Sequence, residues 1–189
     1  MIDTLHVGGA ESLVMSFARS YDRDAYELHV GALSSRGENL MEKELRAAGI
    51  DTVNFGARNL RDVRAFRRLL RFVREHDIQL VHAHLTYSAV WAAVLSRITR
   101  IPSIVSLHVA PSATKAIQAD WIRRRLVDVK DRLMRFLIGR WASSVVMVSA
   151  GLRDVYLANG GLHAEKIRVV HNGIELERFR RDRAETRAR

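Results

Sequence analysis

Ile78-Gln79-Leu80-Val81-His82-Ala83-His84, the helical run Tyr87 to Arg100, and Ser103-Ile104-Val105-Ser106-Leu107-His108 decide the fold. The first piece is a near-continuous apolar strand, of the kind buried on both faces in a parallel sheet. The helical run is apolar and is stopped by Pro102, whose ring disfavours helix in the residue before it. The third piece is again a strand. A strand, a helix and a strand in this order make a βαβ unit with a right-handed crossover.

The same alternation continues in both directions. Upstream, a helix runs through Ser12-Leu13-Val14-Met15-Ser16-Phe17-Ala18, and a strand from Tyr26 to Leu33 ends in the turn Ser34-Ser35-Arg36-Gly37. A helix from Glu38 to Ala48 is closed by Gly49, and Ile50 to Phe55 is a short strand. Arg61 to His76 is an amphipathic helix with Val63, Phe66, Leu69, Leu70 and Val73 on one face and Arg61, Arg64, Arg68 and Arg71 on the other. Downstream come a basic helix, roughly Asp120 to Trp141, a strand at Ser144–Ser149, a helix through Ala158 and a last strand, Ile167–His171. The fold class is therefore α/β: a doubly wound, Rossmann-like parallel sheet with helices on both faces.

Composition supports one globular domain of 189 residues, 48% hydrophobic and 28% charged. With no cysteine, disulfides and thiolate metal sites are excluded. No apolar run approaches the roughly 20 residues needed to span a bilayer. The net charge of +10, mostly arginine, favours anionic partners: nucleic acid, anionic lipid or phosphorylated substrate. Nucleic acid is disfavoured, because no recognised DNA- or RNA-binding motif accompanies the charge. The arginine-rich helices, with Arg64, Arg68, Arg71, Arg123 and Arg124, read either as solvated faces or as a surface that adsorbs to an anionic membrane.

In open α/β sheets ligands bind beyond the carboxyl ends of the strands. That rule selects Gly8-Gly9, His82, His84, His108, Ser149 and Asn172-Gly173. Gly8 and Gly9 open a helix, where free N–H groups attract phosphate; a tight turn into the helix is the competing reading. Ser149 is placed to cap the following helix, and Asn172-Gly173 to form a turn. His84 and His108 are either functional or simply hydrogen-bonded histidines at strand ends. Three histidines without a nearby carboxylate or cysteine cluster make a poor metal site, so no metal is expected.

The ordered set Asp3-Thr4-Leu5, Gly8-Gly9-Ala10-Glu11, Leu80-Val81-His82-Ala83-His84, Ser106-Leu107-His108, Val146-Met147-Val148-Ser149 and Val169-Val170-His171-Asn172-Gly173-Ile174-Glu175 resembles the N-terminal domain of family 4 glycosyltransferases. These are retaining enzymes built from two Rossmann-like domains (the GT-B fold). The resemblance covers residues 2–179, leaving 180–189 as a linker or exposed tail. It implies an acceptor-side domain working with a UDP- or GDP-sugar donor and a glycan or lipid-linked acceptor, without a metal ion or other cofactor. Gly8 and Gly9 would lie beside the donor diphosphate or an acceptor phosphate. His108 would be the most catalytically relevant side chain, hydrogen-bonding a hydroxyl of the transferred sugar. His84, Ser149, Asn172 and Gly173 would line the cleft, and His82 would support it.

Two departures from the family pattern carry expectations. The second domain, with its E-x7-E glutamates and diphosphate-binding basic residues, is absent, so the chain alone is expected to be inactive or nearly so. Several residues of the first strand are also absent before Ile2, which is expected to leave the second and fourth strands without their shared neighbour. The expected location is the cytoplasm, with the basic helices at the inner face of the membrane. The alternative reading is a non-catalytic membrane- or partner-binding module, for example half of a split enzyme.

Overall fold

A computed structural model describes residues 1–34, 40–110 and 121–173. The elements follow the expected alternation: α1 (Gly9–Ser20), β1 (His29–Ala32), α2 (Leu40–Ala47), β2 (Asp51–Asn54), α3 (Val63–Glu75) and β3 (Val81–His84). Then come α4 (Thr86–Thr99), β4 (Ser103–Leu107), α5 (Trp121–Trp141), β5 (Ser144–Met147), α6 (Ala150–Ala158) and β6 (Ile167–Val169). The turn at 35–37 and the helix start at Glu38 lie outside the described residues, as does the tail 180–189.

All strand pairs are parallel, in two hydrogen-bonded groups, β1-β2 and β3-β4-β5-β6. The link between the groups corrects the expectation about the shared neighbour. Ile2 bridges both Ala32 of β1 and His84 of β3. Its N–H donates to Gly31 O at 2.8 Å, its carbonyl accepts from Leu33 N–H at 2.9 Å, and Met1 O accepts from His84 N–H at 2.9 Å. Residues 1–3 thus occupy the C-terminal end of the central slot, where Gly31 O and the Leu33, Ser34 and His84 N–H groups find partners. The Met1 amino group donates to His82 O at 2.6 Å, and burial lowers its pKa to about 5.

Side chains sort by the two-residue period of the strands. Ile2, Val30 and Ala32 pack with Val14, Met15 and Ala18 of α1 and Leu45 of α2. Val81 and Ala83 face the other way, toward Ala65, Leu69 and Val73 of α3 and Trp91 and Leu95 of α4. Val105, Leu107, Val145 and Met147 meet Met134 and Ile138 of α5 and Tyr156 of α6 on that same side. Each fully buried aliphatic side chain here contributes roughly 1.5–3 kcal/mol.

Three details depart from the pattern reading. Val63 is exposed and Ala65 is buried in its place, because α3 is rotated so that Ala65, Leu69 and Val73 form its inner row. Leu80 is exposed, and β3 alternates buried and half-buried residues, so this strand is not apolar on both faces. Arg68, though exposed, is engaged: its guanidinium donates to Phe55 O and Gly56 O, fastening α3 to the segment just past β2.

Candidate functional site

The alternation that buries Val81 and Ala83 turns His82 and His84 toward the α1 side of the sheet. His82 Nε2 lies 2.8 Å from Ser106 Oγ on β4. His84 Nδ1 lies 3.1 Å from His108 Nε2, just past β4, with the two rings stacked at a centroid distance of 5.4 Å. The rings of His82 and His84 are 4.3 Å apart. The result is a row of three imidazoles running out to the C-terminal edge of the sheet.

Burial sets the charge state of this row. Desolvation, followed by the neighbouring positive charges, lowers the pKa of His82 to about 4 and that of His84 to about 2. Desolvation also lowers His108, against a smaller opposite pull from the Glu11 carboxylate. All three imidazoles are therefore neutral near pH 7. In the His84–His108 contact one nitrogen carries the proton and the other the lone pair, so each ring fixes the tautomer of the other. This arrangement suits hydrogen bonding to a hydroxyl better than proton donation.

The backbone holds the row in place. Leu85, directly after His84, has φ 72° and ψ 172°, a region nearly reserved for glycine, which costs about 1–3 kcal/mol. This sharp turn starts α4, whose first amides are satisfied by a residue distant in sequence. Asp3 Oδ1 accepts from Ser88 N–H at 2.6 Å and Oδ2 from Tyr87 N–H at 3.4 Å. Burial raises the Asp3 carboxyl, and the helix amides oppose that shift. On the other side of His108, the Tyr156 hydroxyl donates to Val109 O at 3.0 Å, tying the chain after β4 to α6.

Gly8 and Gly9 begin α1 beside this row. Gly8 has φ −166° and ψ 170°, ordinary extended backbone, so no turn demands glycine there. A Cβ on Gly9 would meet nothing within 4 Å, and one on Gly8 would meet only the mobile Glu11 carboxylate. Packing against other parts of the chain therefore does not require glycine at either position. Glu11, in the first turn of α1, accepts from Thr4 Oγ1 at 3.3 Å.

Ser149 caps α6, accepting from Leu152 N–H at 3.1 Å, and stands at the same sheet edge beyond β5. Asn172 and Gly173 lie exposed past β6 and, among the described contacts, are not drawn into the histidine row. Arg64 and Arg71 are exposed on α3, while the side chains of Arg123 and Arg124 lie outside the described residues. The charges acting on the row are Glu11, the amino terminus and the histidines themselves. No arginine is among these charges, although Arg58 and Arg61 stand in the loop that follows β2 at the same sheet edge.

The sequence reading assigned no role to Asp3, Glu11, Ser106 or Tyr156. Asp3, Glu11 and Ser106 stand only as members of the quoted motifs, and Tyr156 in none. The partner of Asp3, the N-terminus of α4, is 85 residues away.

With this geometry, the family model of Glycosyltransferase Family 4 matches residues 7–178. The chain belongs to that family. Its fold is that of HepE (Alr3699) from Anabaena, solved in complex with UDP-glucose: TM-score 0.75 and 22% identity over 97% of this chain and 46% of that one. A glycosyltransferase from Rickettsia africae matches with TM-score 0.67 and 13% identity, covering 99% of this chain and 46% of that one. MurG from Acinetobacter baumannii matches with TM-score 0.54 and 13% identity, covering 97% and 46%. The family 4 chain thus spans about half the length of each of these structures, and it forms the Rossmann-like parallel α/β half of a GT-B architecture. No curated protein matches its sequence.

Proposed function

We propose that this family 4 domain is the acceptor-side half of a glycosyltransferase that moves a hexosyl group from a nucleoside diphosphate sugar to a glycan or lipid-linked acceptor. One observation carries the reading. The neutral His82–His84–His108 row and the open N-terminus of α1 over Gly9 converge on one sheet edge. In this reading His108 hydrogen-bonds a hydroxyl of the transferred sugar, and His84 is a positioning residue that fixes the tautomer and plane of His108. Gly8 and Gly9 let a phosphate approach the first-turn amides of α1. Positioning is the main contribution of such groups to transfer.

The histidine row itself is neutral, and in this reading the basic residues that neutralise the diphosphate leaving group come mainly from a second domain. The 189-residue chain by itself is then inactive or nearly so. A uridine donor is favoured over a guanosine one because HepE is described with UDP-glucose and a second structural relative, UDP-GlcNAc 2-epimerase from Neisseria meningitidis, with UDP-GlcNAc. No bound metal or cofactor is part of the proposal. Calorimetric titration of the complete enzyme with UDP and GDP tests it; absence of binding by both, together with absence of sugar transfer, would overturn it.

A second reading, contact with an anionic membrane from the cytoplasmic side, is favoured by α5. Leu126, Val129, Leu133 and Phe136 recur at helical spacing and are all more than half exposed, while Met134 and Ile138 on the opposite side are buried. Arg125 and Arg132 border this apolar stripe, and Val129, Arg132, Leu133, Phe136 and Gly161 line an open groove of about 500 Å³. An apolar stripe edged by arginine is suited to the interfacial region of a bilayer. Among the described residues no helix is long and apolar enough to cross one. Sedimentation with anionic vesicles should be strong for the wild type and lost in Leu133→Ser/Phe136→Ser; equal sedimentation of both would exclude this surface. If the membrane contact holds while nucleotide binding fails, a non-catalytic membrane-binding module replaces the enzyme reading.

A further inference from the structure

The opposite end of the sheet holds a second group of histidines. His29 opens β1, Asp51 opens β2 and His76 follows α3, so three elements separated in sequence meet at the N-terminal edge. One ligand atom from each of the three lies within 4.8 Å of the others. His29 Nδ1 is 3.0 Å from Asp51 Oδ2, and its Nε2 is 3.2 Å from Glu27 Oε1.

Two features distinguish this cluster from an ordinary surface ion pair. The His29 side chain is only 8% exposed, and its Nε2 is buried without a hydrogen-bond partner despite the nearby Glu27 carboxylate. When Nε2 carries the proton toward the Glu27 carboxylate, the Nδ1 lone pair faces Asp51 Oδ2 at 3.0 Å, and a cation between these two acceptors resolves the repulsion. The second feature is His76. Its Nδ1 lies 3.1 Å from Phe72 O, which can only accept, so Nδ1 holds the proton and Nε2 keeps its lone pair. A backbone carbonyl holding one imidazole nitrogen so that the other is available is the usual outer-shell support of a metal-bound histidine. Phe72 backs both rings, stacked on His76 at 4.1 Å and edge-on to His29 at 5.6 Å.

We propose that His29, Asp51 and His76, with Glu27 holding the outer nitrogen of His29, form a binding site for a divalent transition metal such as Zn2+. Two imidazoles and one carboxylate are a borderline donor set that suits zinc over Mg2+ or Ca2+. A tetrahedral zinc site holds its donors about 3.5 Å apart, and Asp51 and His76 are exposed side chains able to rotate inward to that spacing. The ion would staple the first residues of β1 and β2 to the end of α3. It would lie at the far end of the sheet from the His82–His84–His108 row and is independent of the transferase reading.

The full chain, freed of any purification tag and stripped with chelator, is titrated with ZnCl2 in a calorimeter at neutral pH. One equivalent should bind, raising Tm by about 5 °C when Zn2+ exceeds Kd a hundredfold. His76→Ala and Asp51→Asn, both at exposed positions, should each weaken binding by about a hundredfold with unchanged circular dichroism. His108→Ala should leave it unaltered. No binding, wild-type binding by both His76→Ala and Asp51→Asn, or loss of binding in His108→Ala alone would overturn the proposal. If His76→Ala fails to fold, His76→Gln together with Asp51→Asn decides by the same readout.

Discussion

The two ends of the sheet carry the same residue type in opposite settings. At the C-terminal edge, His82, His84 and His108 contact a hydroxyl and one another, and desolvation keeps them neutral. Of the carboxylates at that edge, Asp3 caps α4 and Glu11 accepts from Thr4 Oγ1. At the N-terminal edge, His29 lies between two carboxylates, and His76 is held by its own helix. An imidazole's function is thus set by what the fold places against it: another imidazole makes a neutral hydrogen-bonding surface, and carboxylates make a cation trap. A histidine count alone would not separate the two.

The comparison breaks most visibly in activity. In the complete enzyme, His108→Ala should lower kcat/KM about a hundredfold through lost positioning. His76→Ala should stay within about twofold of wild type. Equal losses in steady-state assays of the two variants would mean that the ends are not functionally distinct.

Stability against pH separates the ends next. Because the folded pKa values of His82, His84 and His108 lie below the unfolded value, the unfolded state binds more protons as pH falls below about 6.5. Stability is therefore lost on acidification through that value, continuing down toward about 4 for His82. Between pH 7.5 and 5, Tm should fall by about 5 °C or more, and His84→Gln should flatten this slope. Calorimetric scans of the two proteins across that range check both statements.

A smaller effect is expected for the glycines. Gly9→Ala adds a methyl to open space at a helix start, so the Tm of the free chain should change by no more than about 2 °C. The same variant should weaken nucleotide-sugar binding by the complete enzyme about tenfold, as read by titration with UDP. A large loss of Tm would show that Gly9 serves packing rather than ligand approach. The least effect is expected from Arg64→Glu, an exposed residue on α3: stability within about 0.5 kcal/mol of wild type by denaturant titration.

Much of the architecture was legible in sequence because it rests on local periodicity. All six strands and six helices fall where the apolar patterns and breakers put them, with ends trimmed by a few residues where chains leave the sheet. Val63 and Leu80 were misread for a common reason: an apolar residue near an element's end matches the period but has no partner to cover it. The sheet-edge rule also selected His84 and His108, which the structure brings into contact, because parallel strands must end on one side. It could not reveal the Asp3 cap, the Tyr156 tether or the His29–Asp51–His76 group, whose members are 22 to 85 residues apart in sequence.

The sequence by itself determined the α/β alternation, the direction of the strands and the set of residues at their carboxyl ends, since each follows from hydrophobic spacing and chain connectivity. The tertiary structure alone decided which imidazoles touch, which are stripped of water, and which face a carboxylate. It also seated residues 1–3 in the central slot and turned Arg68 onto the Phe55 and Gly56 carbonyls just past β2. Burial and contact between distant segments set those outcomes, and neither quantity is a property of any short stretch of chain.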